Sequence, residues 1–156
     1  MTLKVGETAP AFRAKADDGS TFDLGEATAR SNVVLYFYPK DETMGCTAEA
    51  CSFRDSWSQI REEDATVVGV SQDSVDSHAS FKRHHDLPFT LVSDADGRIR
   101  KSYGVTGKLM QPRVTFVIDR NGIVRHVYDS RLSPTSHVRE ALEALRRLRQ
   151  PPASPS

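Results

Sequence analysis

Two cysteines, Cys46 and Cys51, are the only thiols among the 156 residues. Both lie in one stretch, Tyr36-Phe37-Tyr38-Pro39-Lys40-Asp41-Glu42-Thr43-Met44-Gly45-Cys46-Thr47-Ala48-Glu49-Ala50-Cys51. A thiol does chemistry as its thiolate, so what matters is whether the surroundings favour the anion. Most free cysteines are small buried hydrophobes. The residues around Cys46 argue for reactivity. Val33 to Tyr38 is an unbroken apolar run rich in β-branched and aromatic residues, which predicts a strand buried on both faces. Pro39 ends it, because proline donates no ladder hydrogen bond. Lys40 to Gly45 is polar and reads as a loop. From Cys46 the pattern turns helical, with Ala48, Ala50, Phe53, Trp57 and Ile60 as its apolar stripe, and the helix is expected to reach about Glu63. Cys46 then falls in the first turn of a helix, at the carboxyl end of a central strand, where open α/β sheets place their sites. The unpaired N–H groups and the positive end of the helix macrodipole stabilise a thiolate there.

The second thiol adds a geometric constraint. In an ideal helix, residues five apart have Cα atoms about 8 to 9 Å apart and on different faces. A disulfide needs less than about 7 Å. Bonding Cys46 to Cys51 therefore requires the first turns of the helix to unwind.

The remaining elements frame this stretch. Phe12–Ala16 and Thr21–Leu24 flank Asp18-Gly19 and predict an amino-terminal hairpin. Thr66–Val70 predicts a second buried strand. A helix is expected from Ser74 or Val75 to about His85, ended by Leu87-Pro88. A short strand, Thr90–Val92, and a short helix, Ile99–Tyr103, follow. Val114–Ile118 and Ile123–Tyr128 predict a hairpin over Asn121-Gly122. Ser133 is expected to cap the last helix, with Pro134 in its first turn and Val138, Ala141, Leu142, Leu145 and Leu148 as its apolar stripe. The order implies an α/β fold with a mixed sheet, in one domain over 1–149. Residues 150–156 are low-complexity and expected to be disordered.

Composition excludes several function classes. Lys plus Arg equals Asp plus Glu at 21 each, so no bulk charge recruits nucleic acid or an anionic membrane. No apolar stretch approaches the roughly 20 residues of a membrane span. Met1 to Glu7 has no apolar signal core, and a cytoplasmic location is expected. Two cysteines at this size are not a disulfide scaffold; such a pair is more often catalytic or metal-binding.

Pro39, Thr43 and Cys46 match the P-x-x-x-T-x-x-C loop of the peroxiredoxins. Cys51, in a C-x-x-x-x-C spacing with Glu49-Ala50 between, resembles the bacterioferritin comigratory protein, or PrxQ, branch. The resemblance runs from Val5-Gly6-Glu7-Thr8-Ala9-Pro10-Ala11-Phe12 to the last helix. It implies a thioredoxin-like fold with a mixed central sheet and an N-terminal β-hairpin extension. It also implies thiol-dependent hydroperoxide reduction. Cys46 would be the peroxidatic thiol, and Cys51 the resolving thiol of an intramolecular disulfide. Thioredoxin or a similar dithiol would recycle that bond, with no metal, haem or flavin. Arg113 lies in Pro112-Arg113-Val114-Thr115-Phe116, matching the family's Pro-Arg-x-Thr-Phe segment. A cation there favours the thiolate and can hydrogen-bond a peroxide oxygen as charge builds on it; read alone, it is an ordinary surface Arg. Thr43 suits a helix N-cap and a peroxide-binding hydroxyl alike. Pro39 contributes shape, and Glu49 a supporting carboxylate near Arg113. Met44 departs from the branch, which usually carries proline there. Because both thiols can act within one chain, a monomer is expected.

Two other readings stay open. One is a non-enzymatic redox sensor. The other is a metal-binding module using Cys46, Cys51 and a histidine, although a structural zinc site favours C-x-x-C spacings and four ligands. His78, His84 and His85 read as solvated surface histidines, adjacent ones pointing different ways.

Overall fold

In the computed structural model of the chain the described residues are 2–106, 112–130 and 133–149. The tail expected to be disordered, 150–156, lies outside them.

The apolar run at the centre of the sequence becomes β3 (Asn32–Phe37). Val33, Leu35 and Phe37 enter one hydrophobic cluster, while Val34, Tyr36 and the following Tyr38 enter the other. Side chains alternate faces along a strand, so a strand covered on both sides shows no polar alternation. β4 (Ala65–Ser71) pairs with β3 in parallel, and β5 (Thr90–Ser93) pairs in parallel with β4. On the opposite side β6 (Val114–Ile118) is antiparallel to β3, and β7 (Val124–Asp129) is antiparallel to β6. The sheet is mixed, in the order β5-β4-β3-β6-β7. The amino-terminal hairpin, β1 (Arg13–Lys15) and β2 (Thr21–Asp23), forms a separate antiparallel pair. The β6–β7 turn closes as expected over Asn121-Gly122: Gly122 takes φ 77°, and the Asp119 carboxylate accepts the N–H groups of Asn121 and Ile123.

Two layers of helix cover the sheet. α1 (Leu24–Arg30) and α5 (Arg98–Ser102) join the hairpin on the Phe37 face. α2 (Met44–Asp55), α3 (Trp57–Glu62), α4 (Val75–His85) and α6 (Ser136–Arg149) cover the Tyr36 face. Two expectations fail in detail. The helix carrying the cysteines does not run unbroken to Glu63. It breaks at Ser56 (φ −101°, ψ 8°), so Trp57 opens α3 instead of lying on α2. Serine readily gives up helical backbone for local alternatives, and the break lets Trp57 rest 6.2 Å from Phe89. The last helix starts at Ser136, so Ser133 does not cap it and Pro134 lies ahead of its first turn. The Ser133 carbonyl accepts both the N–H and the hydroxyl of Ser136, which makes a separate turn ahead of the helix.

One glycine helps to place the reactive helix. A Cβ on Gly69 of β4 would stand 2.9 Å from the Tyr36 ring. The bare backbone admits that ring, which stacks on Phe53 of α2 with centroids 4.7 Å apart.

Candidate active site

The loop between β3 and α2 is fixed from its inner side. Asp41 is buried, and its carboxylate accepts hydrogen bonds from the Tyr38 hydroxyl (2.5 Å) and the Ser77 hydroxyl (2.8 Å) and lies 2.7 Å from His78 Nδ1. The Asp41 N–H donates to Asp73 at 2.9 Å. His78 is not the solvated histidine expected from the sequence: it is fully buried, and its Nε2 faces the Val92 carbonyl at 3.0 Å. Ser74 caps α4, and His78 and Phe81, three residues apart on one face of that helix, are its buried residues. The loop thus rests on a hydrogen-bonded floor that spans three elements.

Cys46 follows as the third residue of α2 and is 1% exposed. Arg113, from the segment that enters β6, reaches its sulfur: Nη2 donates to Sγ at 3.4 Å. Nη1 of the same guanidinium donates to Glu49 Oε1 at 2.5 Å. Glu49 lies one turn along α2 from Cys46 and is fully buried. Burial pushes its carboxyl up to about 8, against the opposing pull of Arg113. Burial also works against the Arg113 cation, but Glu49 and then Cys46 outweigh it and raise its pKa. The Glu49–Arg113 pair therefore presents a fixed cation to the sulfur. Charge-assisted hydrogen bonds of this kind are roughly twice as strong as neutral ones.

The remaining expected residues fall as follows. Thr43 takes the N-cap position of α2 with extended backbone, and its carbonyl accepts the Thr47 N–H at 2.8 Å. Its side chain does not cap the helix. The hydroxyl donates to the Lys40 carbonyl at 2.9 Å, which closes the loop on itself and supersedes the expected side-chain cap. Pro39 is half-buried where β3 runs into the loop, and Met44 is 91% exposed. Cys51 is half-buried on the same helix as Cys46, and both thiols are free. Residues 46 and 51 therefore share one intact helix, the geometry in which they stand too far apart to bond.

Three contributors were not singled out in the sequence. A Cβ on Gly45 would stand 3.1 Å from Arg113 Nη2, so this glycine leaves the path along which the guanidinium approaches. His137, fully buried in the first turn of α6, places Nδ1 3.6 Å from Glu49 Oε2. Thr115 of β6 pairs with the same nitrogen at 2.7 Å, and Nε2 faces the Ser130 carbonyl at 2.8 Å. A carbonyl only accepts, so Nε2 carries the hydrogen and the Thr115 hydroxyl donates to Nδ1. Burial lowers the His137 pKa, which keeps the ring neutral. Glycine at a close approach leaves a signal in the sequence. His137 leaves none, because its partners lie on other elements. Histidines and carboxylates also gather in two clusters able to hold a metal among the described residues, and neither includes a cysteine.

Comparison with known proteins agrees with this geometry. The model of the AhpC/TSA family matches residues 5–127. The chain is 43% identical over 146 residues to the chloroplastic peroxiredoxin Q of Suaeda salsa, covering 92% of this chain and 68% of that protein. Among solved structures, peroxidoxin BcpB from Mycobacterium tuberculosis superposes with a TM-score of 0.90 at 37% identity, covering 95% of this chain and 99% of that one. The bacterioferritin comigratory protein of Xanthomonas campestris superposes with a TM-score of 0.82 at 30% identity, covering 88% and 91%. The five-stranded mixed sheet with its separate hairpin is accordingly a thioredoxin-like fold. The chain belongs to the AhpC/TSA family and, within it, to the peroxiredoxin Q and bacterioferritin comigratory protein branch.

Proposed function

We propose that this chain is a thiol-dependent hydroperoxide reductase in which Cys46 is the peroxidatic thiol and Cys51 the resolving one. The observation that carries the reading is the Arg113 guanidinium on the Cys46 sulfur, braced from behind by buried Glu49. The thiolate sulfur bonds to the terminal peroxide oxygen and the O–O bond breaks. The leaving oxygen takes a proton and departs as water or an alcohol, and Cys46 becomes a sulfenic acid. Arg113 meets the charge that builds on the oxygens during this step. Thr43, freed from the Lys40 carbonyl, supplies a hydroxyl at the helix entry, and Pro39 shields the sulfur from bulk water. Cys51 then attacks the Cys46 sulfur, water leaves, and an intramolecular disulfide forms once the first turns of α2 unwind. An external dithiol of the thioredoxin kind exchanges with that disulfide and restores both thiols.

The substrate class is hydrogen peroxide and organic hydroperoxides; the Xanthomonas campestris relative is described with alkyl peroxide reduction activity. Within this reading the chain works as a monomer in the cytoplasm. The test is peroxide consumption with thioredoxin and its reductase. Wild type turns over steadily, Cys46→Ser not at all, and Cys51→Ser reacts once and then stalls unless an outside thiol resolves it. Near wild-type turnover by Cys46→Ser would sink the mechanism. A single turnover by wild type with reductant present would favour a redox sensor.

A further inference from the structure

Outside the thiol site, three metal-ligating side chains converge where the reactive loop meets the end of α4. His84 Nδ1 lies 2.8 Å from Glu42 Oε2, and His85 Nε2 lies 2.7 Å from Glu42 Oε1. Consecutive residues on a helix point about 100° apart, so adjacent histidines ordinarily face different surroundings. Here one ring uses its near nitrogen and the other its far nitrogen, and the difference in reach brings both to one carboxylate. The rings lie 4.2 Å apart. This overturns the expectation that the two histidines diverge. Glu42 is aimed as well. Its backbone sits at φ 64°, a left-handed conformation uncommon for any residue but glycine. Strain of this kind persists where the surroundings fix it, and the neighbouring Asp41 is anchored by Tyr38, Ser77 and Asp73.

The donor set is two imidazole nitrogens and one carboxylate, with ligand atoms within 4.8 Å of one another. Ligands about 2.0 to 2.2 Å from a tetrahedral zinc ion stand about 3.3 Å apart, so small rotations suffice. His84 and Glu42 have side chains 65% and 45% exposed, free to rotate and open to entry from solvent. Exposed ion pairs contribute little by themselves, so these hydrogen bonds compete weakly with a metal.

We propose that Glu42, His84 and His85 form a binding site for a divalent transition metal of the zinc type, with water completing its coordination. Two histidines and one glutamate with an open fourth position is an established zinc ligand set. On binding, Nδ1 of His84 and Nε2 of His85 give up any hydrogen they hold toward Glu42 and turn lone pairs to the metal. Glu42 immediately precedes Thr43, the N-cap of α2. A bound metal therefore ties the start of α2 to the end of α4. On the reading of Cys46 and Cys51 given above, that tie slows disulfide formation.

The test is titration calorimetry of zinc alone into the Cys46→Ser/Cys51→Ser protein, in which no thiol competes. About one equivalent binds. His84→Ala or His85→Ala in this background weakens binding at least about tenfold, since even residues that only support a ligand cost that much when lost. Zinc also raises the melting temperature of the parent but not that of Glu42→Gln, an isosteric change that leaves the fold intact. Absence of binding in the parent, or equal binding in the histidine variants, overturns the site. In the two-cysteine protein, zinc slows disulfide formation after stoichiometric peroxide, and less so in His84→Ala. Equal slowing in both overturns the link to the loop. Binding is read without thiols, so a failure of the thiol mechanism leaves the calorimetric result unchanged.

Discussion

Replacing Arg113 by Ala removes two contacts at once: the Nη2 bond to the Cys46 sulfur at 3.4 Å and the Nη1 bond to Glu49 at 2.5 Å. The two losses have different consequences. Removing a charge-assisted donor from the transition state costs about 3 kcal/mol, or roughly 150-fold in the rate of sulfenic acid formation. For stability, stripping one partner from a buried ion pair costs about 3 to 5 kcal/mol when the other charge must remain. Glu49 need not remain charged. Burial holds its carboxyl up at about 8 even with Arg113 pulling it down. Without the guanidinium that carboxyl rises further, so Glu49 holds its proton at neutral pH. What remains is a neutral carboxyl short of partners, about 1 to 3 kcal/mol. The smaller figure applies, and it lowers the melting temperature by roughly 2 to 10 °C. The variant therefore stays folded at room temperature while its chemistry slows. Rapid mixing of the reduced protein with hydrogen peroxide gives the rate constant. Trp57 fluorescence reports it, since that ring packs against the cluster that holds Cys46 and Phe53. Arg113→Lys keeps a charge but loses the fork that serves both partners, and falls between the two. A folded Arg113→Ala protein that reacts within about threefold of wild type would refute the role given to the guanidinium.

Three further outcomes are expected. Stoichiometric peroxide speeds amide exchange from Thr47 to Phe53 while β3 stays protected. The oxidised form melts lower, because Phe53, fully buried in the reduced state, gives up burial worth about 1.5 to 3 kcal/mol; a Cys46–Cys51 bond with α2 undisturbed contradicts this. Glu49 contributes a pH dependence of definite sign. Its carboxyl ordinarily titrates at 4.5 and is raised to about 8 when folded, so the native state holds the proton longer and stability falls as pH rises across that window. Glu49→Gln abolishes that component in denaturant titrations run at several pH values, and an identical slope in variant and wild type rejects it. Gly45→Ala puts a Cβ 3.1 Å from Arg113 Nη2. Alanine favours helix over glycine by roughly 0.5 to 1 kcal/mol, so the melting temperature holds or rises while peroxide reactivity falls; an unchanged rate shows that the guanidinium yields without loss.

Much of this protein was legible in its sequence because the signals are local. The apolar run through Val33 to Tyr38, the proline after it and the helical stripe from Ala50 to Phe53 place Cys46 at a helix start, whatever the rest of the chain does. Spacing alone also puts Cys46 and Cys51 on one helix, with the unwinding that a bond between them requires. The expectation for Arg113 came from a motif match, since nothing near it in the chain distinguishes it from a surface arginine. Other features depend on elements that meet only after folding. Arg113 reaches Cys46 because β6 lies antiparallel beside β3, with Val114 opposite Phe37, which sets the segment entering β6 beside the end of the strand that launches α2. His137 joins Glu49 because α6 packs on the same face of the sheet as α2. The helix break at Ser56, the burial of His78 and the convergence of His84 and His85 on Glu42 have the same origin. Periodicity tells which face of an element is buried; it does not tell which distant groups share that burial. Only the order β5-β4-β3-β6-β7 decides which side chains are pressed together, and with them which charges must be paired.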